Sequence, residues 1–302
     1  MVINIDSDSL PVMEALANSS RLKIINLISN GEYNIKQIAE ELFLSVGMVS
    51  RHIKQLEDAG IVKSKFVPTN SGVEKICTLA VDEIYIQFPK KVFPKYQQSA
   101  THIGVGTYSS YKVEPTCGLA SPQYYIGKLD QPTYFMAADR MQAELIWMSS
   151  GFLEYTIPNS LDTTLHKPEQ LEISLEIASE FPTSNNSWES DLEFFINDKS
   201  CGIWTIPGNY SDVRGKLNPD WWPEKNSQYG LLKTLRITET ETLMDAERIS
   251  DFCLDDIDFS QDLISIRFQV EATEEQGGLT IFGRGFGNYA QDIVYRIYYS
   301  DL

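Results

Sequence analysis

The sequence predicts an α+β protein in two parts: a winged helix-turn-helix at the N-terminus, then a larger all-β antiparallel sandwich of jelly-roll type. Three observations predict it. Apolar residues recur three or four apart through the first part, they alternate with polar ones in much of the second, and a proline- and lysine-rich tract lies between. That tract, Phe88-Pro89-Lys90-Lys91-Val92-Phe93-Pro94-Lys95, places a linker at 86–101, with domains at 1–85 and 102–302.

In the first domain, Ile35, Ile38, Ala39 and Leu42 form one apolar stripe, and Val49, Ile53 and Leu56 another. Only Phe43, Leu44 and Ser45 connect the two helices, so they must cross steeply, and the Ser45 hydroxyl is placed to cap the second. Ala59-Gly60 supplies a stop, Ile61 to Phe66 reads as a strand, Asn70-Ser71-Gly72 as a turn and Glu74 to Leu79 as a returning strand. A helix-turn-helix followed by such a wing makes duplex DNA the first partner to consider.

These residues resemble the ArsR/SmtB family of bacterial repressors. Ala15-Leu16-Ala17, Arg21-Leu22 and Ile24 match the family's opening pattern; Val49-Ser50-Arg51-His52-Ile53, Leu56 and Ala59-Gly60-Ile61-Val62 match its recognition segment. The resemblance covers roughly the first 80 residues. It implies a DNA-binding repressor, acting as a homodimer on a near-palindromic operator whose half-sites lie about one helical turn apart. Leu10 to Leu16 and the segment around Ile84 to Phe88 are the candidate dimer contacts, although no long helix follows the wing.

Many members of that family hold a metal through two cysteines on the first helix of the motif, where this chain has Asn34 and Lys36. A protonated lysine offers three donors and no lone pair, so metal sensing there is not expected. His52, His102 and His166 are scattered, as are Cys77, Cys117, Cys201 and Cys253, with no metal-ligand spacing; neither metal nor cofactor is expected.

For DNA contact the expected residues are Ser45, Val46, Gly47, Met48, Ser50, Arg51, His52 and Lys54 on the recognition helix, with Lys65, Thr69 and Asn70 on the wing, beside Lys63. Val46 and Met48 either meet thymine methyl groups or pack inward. Residues 1–80 carry 8 basic and 9 acidic side chains and residues 81–302 carry 17 and 33, so −16 of the net −17 lies in the second part. The cations of the first part must therefore cluster to hold DNA, and binding should be steeply salt dependent. The acidic remainder argues against nucleic acid or an anionic membrane as its partner.

In the second domain Leu171, Ile173, Leu175 and Ile177 alternate with polar residues, as do Ile264, Ile266, Phe268 and Val270. Further strands are predicted at Leu145 to Met148, Tyr155 to Ile157, Leu192 to Ile196, Leu231 to Ile237 and Ile293 to Tyr299. With so many strands and hardly any helical stripe, a sandwich follows.

One tract of this domain gathers unusual chemistry: three of the five tryptophans lie between Cys201 and Trp222. Trp204, Asn209, Asp212, Arg214, Trp221, Trp222, Gln228, Tyr229, Arg284 and Asn288 are the candidate ligand residues, since aromatic faces and amide or carboxylate groups together suit a small polar effector such as a sugar. A second reading makes the same tract core and loop scaffolding, with Arg214 as a structural tie. Gly283, Gly285 and Gly287 are read as one face of a strand.

The second domain also resembles the companion domain of a group of Firmicutes ArsR-type regulators, through Pro115-Thr116-Cys117-Gly118-Leu119-Ala120, Gly215-Lys216-Leu217-Asn218-Pro219 and Phe286-Gly287-Asn288-Tyr289 among other segments, which implies a sensor role. No enzyme is expected: Glu189, Asp191 and Glu193 lie in a row on one strand face, and no nucleophile elbow or phosphate loop is present. The competing readings of the sandwich are a protein-docking domain and a carbohydrate-active enzyme. A cytoplasmic location is expected, because no basic-then-apolar leader precedes Pro11, no apolar run approaches the ~20 residues of a membrane span, and the cysteines fit a reducing compartment.

Overall fold

Capping side chains decide where the helices of the first part begin. After a short strand β1 (Val2–Asn4), α1 (Leu10–Leu16) has Pro11 in its first turn. Asn18 then accepts the N–H groups of Ser20 and Arg21 and opens α2 (Ser19–Ile28). Strand β2 (Tyr33–Asn34) leads into α3 (Ile35–Glu41), which Asn34 and Gln37 start with a reciprocal capping box. The Ser45 hydroxyl accepts the Met48 N–H at 3.3 Å and opens α4 (Val46–Asp58); Gly60, at φ +69, ends it. Strands β3 (Val62–Thr69) and β4 (Gly72–Leu79) form the wing, with β2 added to the outer side of β4. The computed structural model describes residues 1–69, 72–89, 96–273 and 276–302.

Ile24, Ile38, Val49, Ile53, Leu56 and Cys77 fill one core between these helices and the wing. Arg21, conspicuous in the sequence pattern, belongs to that core. Its Nε donates to the Ala15 carbonyl and one terminal nitrogen to that of Glu14, both at 2.6 Å, while the other donates to the Gln55 side chain at 2.7 Å. It thus ties the carbonyl end of α1 to α4. Arg21→Ala removes the partner of the buried Ala15 carbonyl and of the part-buried Glu14 carbonyl, and is expected to cost about 2–4 kcal/mol. Thermal unfolding followed by helical circular dichroism checks it; an unshifted helical transition would refute the role. A parallel pair of β1 with β5 (Tyr85–Gln87) joins the two ends of this part, in place of any long helix after the wing.

Contacts divide the chain into Met1–Lys91 and Val92–Leu302. The second unit begins with β6 (Gln97–Ile103), so residues 97–101, expected as linker, are strand. β7 (Ser110–Ala120), β8 (Tyr125–Ile126), β9 (Leu145–Pro158) and β10 (His166–Ala178) follow. Next come β11 (Ser190–Ile196), β12 (Lys199–Ile206), β13 (Leu231–Ile237), β14 (Thr242–Met244) and β15 (Glu247–Ser250). β16 (Leu263–Val270), β17 (Leu279–Phe282) and β18 (Ile293–Asp301) complete it.

Every pairing among these strands is antiparallel, as expected for the second domain. One block runs β12-β11-β16-β9-β7-β8 and another β6-β18-β10-β13-β14-β15. β17 pairs with β9 along one edge and β10 along the other, so the sheet wraps into a nearly barrel-like form. The alternating apolar residues read from the sequence, among them Ile173, Leu175, Ile266 and Phe268, fill a single core with Tyr155, Phe194 and Leu235.

Two sequence expectations need correction. The strands predicted at Leu145 to Met148 and Tyr155 to Ile157 are one strand, β9, which runs unbroken through Ser149, Ser150 and Gly151, where the apolar pattern is interrupted. Gly283, Gly285 and Gly287 do not share a strand face; they lie in the turn after β17. Gly287 is required there by its φ of +74 and because a Cβ would fall 2.3 Å from the Glu176 carboxylate.

Candidate functional site

On α4, burial of Val49, Ile53 and Leu56 fixes which face remains outside. That outer face carries Val46, Gly47, Met48, Ser50, Arg51 and Lys54, all exposed. Val46 and Met48 are 50% and 47% exposed, so neither packs inward. A Cβ on Gly47 would meet nothing within 4 Å, which leaves the first turn of the helix open to close approach. His52 is half-buried at the edge of the face, its Nδ1 without a partner among the described residues. Phe43, which sequence reasoning treated only as connection, adopts φ +53 and stands 96% exposed beside this face.

Not every cation here is free to meet a phosphate. Lys75 lies 2.7 Å from Glu57, which also accepts the Ser64 hydroxyl. Burial pushes the Glu57 carboxyl up, but Lys75 and Ser64 outweigh it and hold the group below its ordinary value. Lys65 is paired with Glu32 at 2.8 Å. Arg51, Lys54 and Lys63 are exposed and make no ion pair among the described residues. Thr69 ends β3, while Asn70 lies outside the described residues.

Residues 18–64 match the model of the bacterial regulatory protein, arsR family. An uncharacterized HTH-type transcriptional regulator of Methanocaldococcus jannaschii is 35% identical over 88 residues, 28% of this chain and 93% of that protein. The chain belongs to the ArsR family. It is therefore a DNA-binding transcriptional regulator with a winged helix-turn-helix. Among solved structures, it is similar to the homodimeric winged helix-turn-helix domain of a possible ArsR-family regulator from Mycobacterium bovis, at 26% identity, covering 25% of this chain and 67% of that one with a TM-score of 0.23. Reduced HlyU of Vibrio cholerae is 22% identical, covering 25% and 76%, also with a TM-score of 0.23.

In this ArsR-family chain Asn34 caps α3 and Lys36 is exposed. Among the described residues no three His, Cys, Asp or Glu side chains converge as a metal-ion site, and no helix is long and apolar enough to cross a membrane.

In the second unit, most of the residues singled out from the sequence hold the long segment 207–230 together. The Asn209 amide donates to the Ser179 carbonyl at 2.6 Å. Gln228 donates to the Pro223 and Asn226 carbonyls at 2.8 and 2.9 Å. Arg214 donates to Pro219 and Trp222 carbonyls, Trp221 to Pro122, and Asn288 accepts the Lys216 N–H. Asp212 accepts the Tyr229 hydroxyl, and burial pushes that phenol up to about 12. Trp204 lies on β12 with the Lys233 ammonium 5.0 Å from its ring centre, and Arg284 is paired with Asp292.

Only Trp222 from that set lines a half-open pocket of this unit, of about 160 Å³. The pocket lies where the start of β9, the end of β10 and β17 meet, with Trp222, Asn226 and Ser227 contributed by the 207–230 segment. Tyr125, Trp147, Phe181, Glu180 and Asp130, none of them marked by the sequence, complete its chemistry. The Glu180 carboxylate accepts the hydroxyls of Thr116 and Thr280, each at 3.2 Å. Burial pushes its carboxyl up to about 8; the two hydroxyls pull down and Asp130 pushes up further.

Proposed function

We propose that this ArsR-family regulator reads its operator through the exposed face of α4, as a homodimeric repressor, and that its β-domain senses a small polar effector. The observation that carries the DNA assignment is exposed Arg51 and Lys54, which make no ion pair among the described residues, on the same face of α4 as exposed Val46, Gly47, Met48 and Ser50, with Lys63 on β3. Charges of this kind position a duplex while short side chains approach base edges. The sensor half rests on the half-open pocket, where aromatic rings and carboxyl groups line one concave site. Exposed apolar Val2, Leu10, Tyr85, Ile86 and Phe88, on β1, α1 and around β5, support pairing of two copies. An effector alters DNA affinity only if it binds one domain arrangement better than another.

Fluorescence anisotropy of labelled DNA from upstream of the protein's own gene, with and without a small-molecule extract of the native cell, tests the proposal. Binding at least about 10³-fold tighter than to scrambled DNA, and shifted by the extract, is expected. Binding no tighter than to scrambled DNA would sink the self-regulating repressor, and tight binding indifferent to the extract would sink the sensor half.

A further inference from the structure

The pocket's lining selects a type of charge. Tyr125, Trp147 and Trp222 meet pairwise with ring centroids 5.5–6.3 Å apart, and the carboxylates of Glu180 and Asp130 share the same cavity. Among the described residues, no lysine, arginine or histidine lines it. We propose that the pocket binds a small organic ammonium ion, its charge set against Glu180 and Asp130 and its apolar body against Tyr125, Trp147 and Trp222. The assignment rests on the sensor reading and gives the effector a chemical class.

Aromatic rings attract cations through their quadrupole, by ~2 kcal/mol or more once water is excluded. The Asp130 carboxylate, joined by that of Glu180 once the pH passes about 8, repels an anion, and a neutral sugar leaves that charge uncompensated. An independent observation also points to a ligand: Ser227 lines the cavity, is 6% exposed, and its Oγ has no hydrogen-bond partner among the described residues. A buried hydroxyl left so costs roughly 1–3 kcal/mol, which a polar group on the occupant recovers. The volume of about 160 Å³ equals the share of on the order of five waters, enough for a compact ammonium ion.

Proton linkage sharpens the expectation. The titratable groups facing Glu180 are Asp130, from the loop after β8, and the Cys117 thiol on β7, which burial pushes up to about 11. With Glu180 itself near 8, a fixed cation beside it draws off its proton. Affinity therefore rises with pH and levels off above about 8.

The test titrates full-length protein with choline and tetramethylammonium, whose charge is independent of pH, and with glucose and acetate as neutral and anionic probes. Calorimetry and tryptophan fluorescence follow binding. Saturable binding of both ammonium ions is expected, roughly 100-fold tighter at about pH 9 than at about pH 6 if only ionised Glu180 binds. Glu180→Gln should lose at least ~10-fold in affinity and flatten the pH profile. If that variant does not fold, exposed Asp130→Asn serves in its place, with a several-fold loss expected. Saturation by glucose while both ammonium ions are inert overturns the proposal, as does saturation by none of the probes. An extract that shifts operator binding while the ammonium ions do nothing would leave the sensor standing and remove only this assignment.

Discussion

Arg51→Ala combined with Lys54→Ala is expected to weaken operator binding by roughly 100-fold or more at moderate salt. Both side chains are exposed on the outer face of α4 and make no ion pair among the described residues, so their charges are available to phosphates. A charge-assisted hydrogen bond is worth ~1.5 kcal/mol or more, and two of them compound to that factor. The salt dependence distinguishes lost phosphate contacts from a damaged fold. Each contact contributes about −0.9 to the slope of log affinity against log salt, so the slope should become shallower by about 2. The helix should survive, because its stability comes from Val49, Ile53 and Leu56 on the opposite face. Anisotropy at several salt concentrations, with circular dichroism as the folding control, decides it: unchanged affinity and slope would remove α4 as the DNA-reading helix. Lys65→Ala should do less than Lys63→Ala, since Lys65 is already engaged by Glu32.

The first domain was legible because its signals repeat one another. Apolar spacing, the Ser45 cap, the three-residue connection and the Gly60 stop all specify the same two helices, and the structure has them. Phe43 escaped because Leu42-Phe43-Leu44 is uniformly apolar; only the left-handed backbone at Phe43 turns that ring outward, and periodicity carries no such information. In the second domain alternation identified the long strands but not their joints. β17 is four buried residues between glycines, too short for any period to show. Gly151 divides β9 in the sequence, yet the strand continues because a Cβ there would fall 1.9 Å from the Lys112 carbonyl of β7, a close approach that only glycine permits. The pocket was the least legible feature. Thr116, Tyr125, Trp147, Glu180, Trp222 and Thr280 come from separate segments with no shared spacing, and topology alone brings them together. The Trp221-Trp222 pair drew notice correctly as unusual, but its amide-bearing neighbours Asn209 and Gln228 give their N–H groups to backbone carbonyls.

Glu176→Ala is expected to be the most damaging single substitution in the β-domain, and its cost should depend on pH in a defined direction. Glu176 lies fully buried on β10. Its Oε1 accepts the Gly230 and Asn288 N–H groups, each at 2.9 Å, and its Oε2 those of Asn288 at 3.1 Å and Tyr289 at 3.0 Å. One side chain thereby fastens the entry to β13 and the turn after β17 onto the centre of the sheet. Removing it strands three backbone donors, at about 3–5 kcal/mol in all. Burial pushes the Glu176 carboxyl up to about 7 from an ordinary 4.5, with the three N–H donors pulling the other way. A carboxyl raised on folding contributes stability that is complete below its unfolded value and lost as pH climbs through its folded one. At ~1.4 kcal/mol per unit, that contribution is roughly 3 kcal/mol, present near pH 4.5 and gone above about pH 7. The alanine variant has no such contribution to lose. Its deficit should therefore be greatest in mild acid and shrink as the pH rises past neutrality, while Glu180, raised to about 8, still lowers the stability of both proteins in the same alkaline direction. All five tryptophans lie between residues 147 and 222, so urea unfolding read by their fluorescence isolates this domain from the winged helix. A deficit that stays constant from about pH 5 to pH 9 would show that Glu176 keeps its charge throughout and that the three N–H donors, not burial, govern it.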